Sequence, residues 1–416
     1  MFRICKILLC LQLIASPVWA ETLVLTWDDC VARAQNQHPQ LQAELARLQQ
    51  AQARAQDSYN YYFPTLSLDA SYTQSGTGTS ANGGSNSLSA ALQKKLFSTD
   101  SDQAQVDQAG ADLDDEQNAA QTLKTNLSLE LHKAFIEMLY QQDAIDLTQK
   151  IALRRNANLE LVALRYEAGR EHKGSLLRNQ AAQQQANIDV LQTYRALAVA
   201  RRHLSVALGG APLTEYFVTG SLEIKLPPAT PSYEMLAVHL PDFHAALNQI
   251  KTAQADLILA QHAYQPGISA KSSVSRSGSD LSLANPNWSA AISFSLPVYF
   301  DPRNELGQTE AQAAVDEARF ELTHLLHTLV YKLEDQFVAF QNAAETVAVQ
   351  QAFLAAAETR SEIASSQYTT GLLSFENWDV IENDLIQQQK TMLTRQRDAA
   401  LAAAAWEQIQ GLGVLQ

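Results

Sequence analysis

Residues 288–298 read Trp288-Ser289-Ala290-Ala291-Ile292-Ser293-Phe294-Ser295-Leu296-Pro297-Val298. Trp288, Ala290, Ile292, Phe294, Leu296 and Val298 fall on one side and Ser289, Ala291, Ser293 and Ser295 on the other, the period of an extended strand with unlike surroundings on its two faces. The stretch before it has the same texture, with Ile268, Ala270 and Val274 opposing Ser269, Lys271, Ser273 and Ser275. Some 200 residues earlier the device recurs. Leu66, Leu68, Ala70 and Tyr72 oppose Thr65, Ser67, Asp69, Ser71 and Thr73, and Leu88, Ala90, Leu92 and Leu96 oppose Ser89, Gln93 and Lys95. Lys94 interrupts the apolar face near the strand end, where a long stem lets its ammonium reach water. Gly76, Gly78, Gly83 and Gly84 are expected to form the loop that turns the first pair back. Four strands follow, at about 64–74, 88–97, 266–276 and 288–298, each about the length that a tilted strand needs to cross a bilayer.

Alternation alone also describes half of a soluble sandwich. Two features favour a membrane. Tyr61, Tyr62, Phe63, Phe97, Tyr264, Tyr299 and Phe300 gather at the same ends of the four strands, as an interfacial girdle would. The polar face carries Asp69, Lys95 and Lys271, tolerable beside water and costly in a dry core. Four strands cannot close a cylinder, since the smallest membrane barrels have about eight, and an open edge in lipid leaves backbone groups unsatisfied. Copies must therefore share one barrel. Two chains give an interior filled by side chains and three leave room for a water-filled lumen, so the polar inner faces favour three.

The chain repeats itself at a shift of 202: Pro39 falls on Pro241, Pro64 on Pro266, Tyr166 on Tyr368, Gly169 on Gly371 and Gly209 on Gly411. Prolines and glycines mark backbone breaks, so a common register implies a common order of turns. The halves are residues 21–210 and 233–416, joined by a Pro-rich linker at 211–232. Residues 101–165 contain no Pro and one Gly, with Leu127, Leu131, Ala134, Met138 and Ile145 at helical spacing; 65 residues at ~1.5 Å each make a helix of roughly 97 Å. The counterpart is 303–368. Shorter helices are expected at about 28–60, 175–208, 233–262 and 376–410, each near half that length, so that they cover the distance only in pairs. A long hollow bundle follows, because single exposed helices of this size need lateral packing.

At the N-terminus, Arg3 and Lys6, the apolar run Ile7–Ile14 and Val18-Trp19-Ala20 have the pattern of a secretory signal, residues 1–20. Its removal takes the net charge from -14 to -16 and leaves Cys30 as the one cysteine, so no internal disulfide is available. Cys10 lies in mid-core of that segment, unlike a lipid acceptor. The acidic balance, with no basic run, excludes nucleic acid as a partner.

With these residues in place, the chain resembles the outer membrane efflux proteins related to TolC. The resemblance rests on Leu25-Thr26-Trp27-Asp28-Asp29-Cys30-Val31-Ala32 with His38-Pro39-Gln40-Leu41, on Arg165-Tyr166-Glu167-Ala168-Gly169 and Gln367-Tyr368-Thr369-Thr370-Gly371, and on Ala207-Leu208-Gly209-Gly210. It implies a mainly α protein with transmembrane β: a homotrimer with a twelve-stranded outer-membrane β-barrel, four strands from each protomer, above a long periplasmic α-helical barrel. It also implies a passive exit duct of a tripartite efflux or type I secretion system. The partners would be a periplasmic adaptor (membrane fusion protein), an inner-membrane transporter and outer-membrane lipid. The competing class is a periplasmic structural or adaptor protein with a small soluble β domain.

Family members close the duct at its periplasmic tip, and the resemblance puts Tyr166, Gly169, Tyr368 and Gly371 there. Acidic residues commonly stand six and nine positions beyond the second turn's glycine; here those places hold Asn377 and Val380, whereas Glu376 and Asp379 lie one residue earlier. Those carboxylates either ring the constriction or begin the return helix, where acidic groups suit the positive helix terminus. At the first turn, Arg170, Glu171, His172 and Lys173 are candidates for closing ion pairs or adaptor docking, or form a solvated turn. No catalytic residue, cofactor or metal site is expected. His324 and His327 lack a third ligand at a telling spacing, and neither a P-loop nor a dinucleotide glycine motif is present.

Overall fold

A computed structural model describes residues 23–78, 80–97, 99–210, 216–224, 230–263, 265–279, 285–296 and 303–415. The signal at 1–20 lies outside the described residues, as do Tyr264, Tyr299 and Phe300 of the expected girdle. In chain order the elements are β1 (Leu23–Leu25), α1 (Trp27–Gln37), α2 (Pro39–Ser58), a 3-10 turn at Tyr59–Tyr62, β2 (Thr65–Thr77), β3 (Ser80–Lys95), α3 (Thr99–Glu167), α4 (Lys173–Ala207), β4 (Tyr216–Val218), α5 (Tyr233–Ala237), α6 (Pro241–His262), β5 (Gly267–Gly278), β6 (Asn285–Ser295), α7 (Arg303–Thr370) and α8 (Phe375–Ile409). No described helix is long and apolar enough to cross a membrane.

The opening helix of each half is broken rather than continuous. Pro39 and Pro241 each sit at the first turn of a new helix, because proline lacks an N–H and forces the residue before it out of the α region. Accordingly His38 (ψ 118°) and Leu240 (ψ 145°) are extended. The linker at 211–232 holds β4, which pairs in parallel with β1, Leu23 opposite Tyr216 and Leu25 opposite Val218. Neither strand is visible as an alternating run, since each is three residues long.

Packing divides the chain into two compact units. One comprises Met1–Asn36, Ala134–Leu222 and Ala356–Arg397. In it, Trp27 meets Phe135 edge-on at 5.3 Å, and Ile151, Ala152, Ala186 and Ile386 form a buried cluster between α3, α4 and α8. The other comprises Gln37–Lys133, Glu223–Ala355 and Asp398–Gln416. Its core gathers Leu240, Leu329, Leu333, Phe337, Phe340 and Trp406, with Phe337 and Trp406 at 5.0 Å.

The second unit also carries a four-stranded antiparallel sheet in the order β2-β3-β5-β6. Register keeps the two faces separate across all four strands: Leu66 stands opposite Leu92, Leu68 opposite Ala90, Ala90 opposite Val274 and Val274 opposite Trp288. The other face aligns Asp69, Ser89, Ser275 and Asn287, with Ser71–Ser87 and Ser273–Ser289 hydroxyl pairs at 2.8 Å. Trp288 and Ile292 are each 77% exposed on the apolar side. The interruption at Lys94 is resolved locally, because its ammonium donates to the Tyr61 carbonyl at 2.6 Å and lies 3.5 Å from Asp102.

The glycines of the first hairpin do not make a loop. Pairing continues through a bulge at Gln74/Ser75 up to Thr77 opposite Ser80, and Gly78 beyond Thr77 has positive φ (64°). Gly84 lies within β3, diagonally across from Tyr72. A Cβ there would stand 2.5 Å from the Tyr72 hydroxyl, so the missing side chain is what lets the ring lie over the strand.

Candidate gate at the helical turns

The four helix ends at Gly169, Gly209, Gly371 and Gly411 share one geometry. Each glycine has positive φ (68°, 101°, 83° and 74°). Each donates its N–H three residues back while the next residue donates five back: Gly169 to Tyr166 and Arg170 to Arg165, then Gly371 to Tyr368 and Leu372 to Gln367. This double closure satisfies orphan carbonyls and demands a left-handed residue, which glycine adopts without a Cβ clash. It places Tyr166 and Tyr368 at the same station of equivalent turns.

Their surroundings differ. Tyr368 is fully buried, stacked on Trp378 at 4.3 Å with the ring planes 6° apart, and touched by Phe375. The Arg165 guanidinium lies 4.5 Å over its ring and donates to its carbonyl at 2.8 Å. Its hydroxyl donates to Glu171 Oε2 at 3.0 Å. Burial, reinforced by the Glu171 carboxylate, pushes the phenol well above its ordinary range, so it remains a donor. Val162 and Ala364 complete this cluster. Tyr166, by contrast, is 38% exposed.

The turn after Gly169 is organised by Glu171 and His172. Glu171 Oε1 accepts from the Ser175 hydroxyl at 2.9 Å, and His172 caps α4 by accepting from the Ser175 N–H. His172 Nε2 lies 3.4 Å from Glu376 Oε1. Glu376 occupies the first turn of α8, and hydrogen bonds from its own N–H and from His172 hold its carboxyl below the usual range. Asp379, 8% exposed, accepts from Arg178 Nε at 3.1 Å. The structure thus brings together Glu171, Tyr368, Glu376 and Asp379, each with a partner from the other half of the chain, that of Glu376 being the α4 cap His172. Arg170 and Asn377 are exposed outside this set.

One turn further along α8, Glu382 is 1% exposed and accepts two bonds from Arg154, at 2.6 and 2.7 Å, one from Asn158 at 3.0 Å and one from the Ser361 hydroxyl. Burial works to raise its carboxyl, but these donors outweigh burial and hold it below the ordinary value. Arg155 reaches Asn383 beside it. Sequence reading singled out none of Trp378, Arg178, Arg154 or Glu382. Phe375 and Trp378, three apart at the start of α8, were the legible signal, whereas the ion pairs join residues about 200 apart and have no local trace.

The paired long helices, the glycine-closed turns and the open sheet with one apolar face define a channel protomer built for a membrane. The chain belongs to the outer membrane efflux protein family, whose model matches residues 30–210 and 233–412, once for each half. It is a protein of the Gram-negative outer membrane that extends into the periplasm. Among curated proteins it is similar to the cation efflux system protein CusC of Escherichia coli, 25% identical over 213 residues; the match covers 49% of this chain and 46% of that one. The chain thus matches about half the length of these curated relatives. Among solved structures it is similar to the outer membrane protein VceC of Vibrio cholerae (TM-score 0.79, 20% identity, 94% of this chain and 96% of that one). It is also similar to the open state of the Neisseria gonorrhoeae MtrE outer membrane channel (TM-score 0.78, 18% identity, 93% and 90%). These likenesses establish the fold.

Proposed function

We propose that three copies close one twelve-stranded barrel and form the exit duct of a tripartite efflux or type I secretion system. In this reading the halves 21–210 and 233–416, exported by residues 1–20 and joined at 211–232, act as two efflux repeats. A periplasmic adaptor and an inner-membrane transporter deliver the cargo, and the duct conducts it passively, with no cofactor. The observation that carries this is the sheet: β2 and β6 each have one neighbour among the described residues, and the apolar face is exposed across all four strands. In hydrocarbon those edges must pair with other copies.

The turns at Gly169 and Gly371 are the periplasmic gate in this reading, with Tyr368, Glu171, Glu376 and Asp379 holding it shut within each protomer. Tyr166, Arg170 and Asn377 face outward from that contact, open to other copies or the adaptor. The similarity to CusC, a cation efflux system protein, makes metal cations the first cargo to test. A strain lacking this chain should become sensitive to salts of metal cations, or to substrates of the partnering pump, and regain resistance on complementation. The protein should require detergent for extraction and run as a trimer. Release by osmotic shock as a monomer, with unchanged sensitivity, would sink the reading.

A further inference from the structure

We propose that Arg276, flanked by Tyr72 and Trp288 at the far margin of the sheet's apolar face, is a docking site for a phosphate of the phosphorylated glycolipid in the outer leaflet of the outer membrane. The inference rests on the three-copy membrane reading above. Pairing sets Arg276 between Leu88 and Pro286, with Ala70 next in the same row, so register puts its guanidinium on the apolar side of the sheet and not on the hydroxyl-lined one. The side chain is exposed there. Arg276 lies nine residues beyond Gly267 along β5. At ~3.3 Å per residue that is about 30 Å of strand, which a tilt of about 35–45° turns into roughly 21–25 Å of height, that of an outer-membrane apolar band. The helices leave from the opposite end of the sheet, so this margin faces the exterior.

The apolar face carries one other cation, Lys94 near the helix end, and the two are treated differently. Lys94 is satisfied within the chain by the Tyr61 carbonyl and Asp102. Arg276 has no ion-pair or hydrogen-bond partner among the described residues. Another copy does not supply one, because copies join at the edges β2 and β6, whereas β5 is flanked by β3 and β6 of its own chain and turns this face outward. The partner must then come from the lipid. An arginine facing lipid is costly at the midplane and tolerated at the interface, and its planar fork matches phosphate oxygens two at a time. Trp288 is the next outward residue of β6 after Pro286, and Tyr72 the next of β2 after Ala70; both are exposed. Amphipathic rings of this kind settle at headgroup level. At the external margin of a Gram-negative outer membrane, the anion at that level is the glycolipid phosphate, and its charge complements the guanidinium.

Trimers reconstituted in phosphatidylcholine nanodiscs, with or without bis-phosphorylated lipid A at low mole fraction, test this. The readout is the temperature at which the trimer band gives way to monomer on a heat-modifiability gel. Lipid A should raise that temperature for the native chain, and lipid A stripped of its phosphates should not. Arg276→Gln should lose the shift, while Lys94→Gln, read against its own phosphatidylcholine baseline, should keep it. Native mass spectra should show lipid A retained by the native trimer and lost from Arg276→Gln. An equal shift in Arg276→Gln, or an equal shift with phosphate-free lipid A, would overturn the site. An equal shift with phosphatidylglycerol would replace a glycolipid site by general attraction to anionic lipid and overturn the proposal as stated. A preparation that forms no trimer even in phosphatidylcholine would instead overturn the three-copy reading.

Discussion

The ring of Tyr368 lies parallel to that of Trp378, 4.3 Å away, while its repeat mate Tyr166 faces outward beside a turn of identical backbone geometry. Equivalent turns therefore carry different loads. The second is clasped by the first half through Arg165 and Glu171, and the first is left with its apolar groups bare.

Trp378→Ala should loosen that clasp. Truncating a buried aromatic removes dispersion contacts and leaves a cavity, at a cost of about 3–5 kcal/mol. Tyr368→Phe keeps the stack and loses only the bond to Glu171, about 1 kcal/mol. Hydrogen exchange over 160–180 should rise strongly in the first variant and slightly in the second. Equal protection in both would show that the stack contributes nothing.

Glu382→Ala leaves the Arg154 guanidinium, itself about a third exposed, without its carboxylate. Removing one partner of a fully buried pair costs about 3–5 kcal/mol, and partial screening of Arg154 reduces this to about 1–3. Because the Glu382 carboxyl is held below its ordinary value of 4.5, its contribution is fully present above that pH and fades as pH falls below it. Amide exchange around Ser361 should therefore accelerate under acid in the native chain and show no further acid step in the variant.

His132 also loses stability on acidification, in a window that begins at higher pH. Burial takes its imidazole from 6.5 down to about 4, so the folded chain keeps it neutral while the unfolded chain protonates it. Stability is undiminished above pH 6.5 and falls between 6.5 and about 4, by roughly 3 kcal/mol if the shift is fully expressed. Glu407 lies 3.9 Å away, with its own carboxyl raised by burial. His132→Phe should flatten the thermal midpoint against pH in that window, and an unchanged slope would assign the dependence elsewhere.

Arginine placed at Ile292 or Phe294 should block membrane assembly, since a charge on the lipid face near the midplane costs roughly 2–4 kcal/mol. Ser293→Arg lies on the other face and should be mild. Heat-modifiable trimer bands from outer-membrane fractions read the difference, and equal loss at both faces would reverse the sidedness of the sheet.

Where the elements depart from the hydrophobic pattern, the cause is local. Pro39 and Pro241 break the opening helices by a rule that is purely local. The glycines at 76–84 look like a loop on composition, yet Tyr72 needs Gly84 bare in order to lie across the strand, and pairing with β2 carries the glycines into the sheet. Short β1 and β4 have no pattern long enough to detect, and exist because the linker returns to the start of the chain.

What the linear chain determined by itself was what backbone rules acting over a few residues carry: the 202-residue repeat, the period-two strands with their faces, the two long helices and the glycine turns. What only the tertiary structure decided was the inequality of the two halves. Tyr166 and Tyr368 stand in matching motifs, and nothing near either in sequence says which will be buried. That depends on Arg165, Glu171, Arg154 and Arg178 meeting Tyr368, Glu382 and Asp379 from about 200 residues away. Charge pairing and ring stacking act through space, and only packing brings those groups within reach.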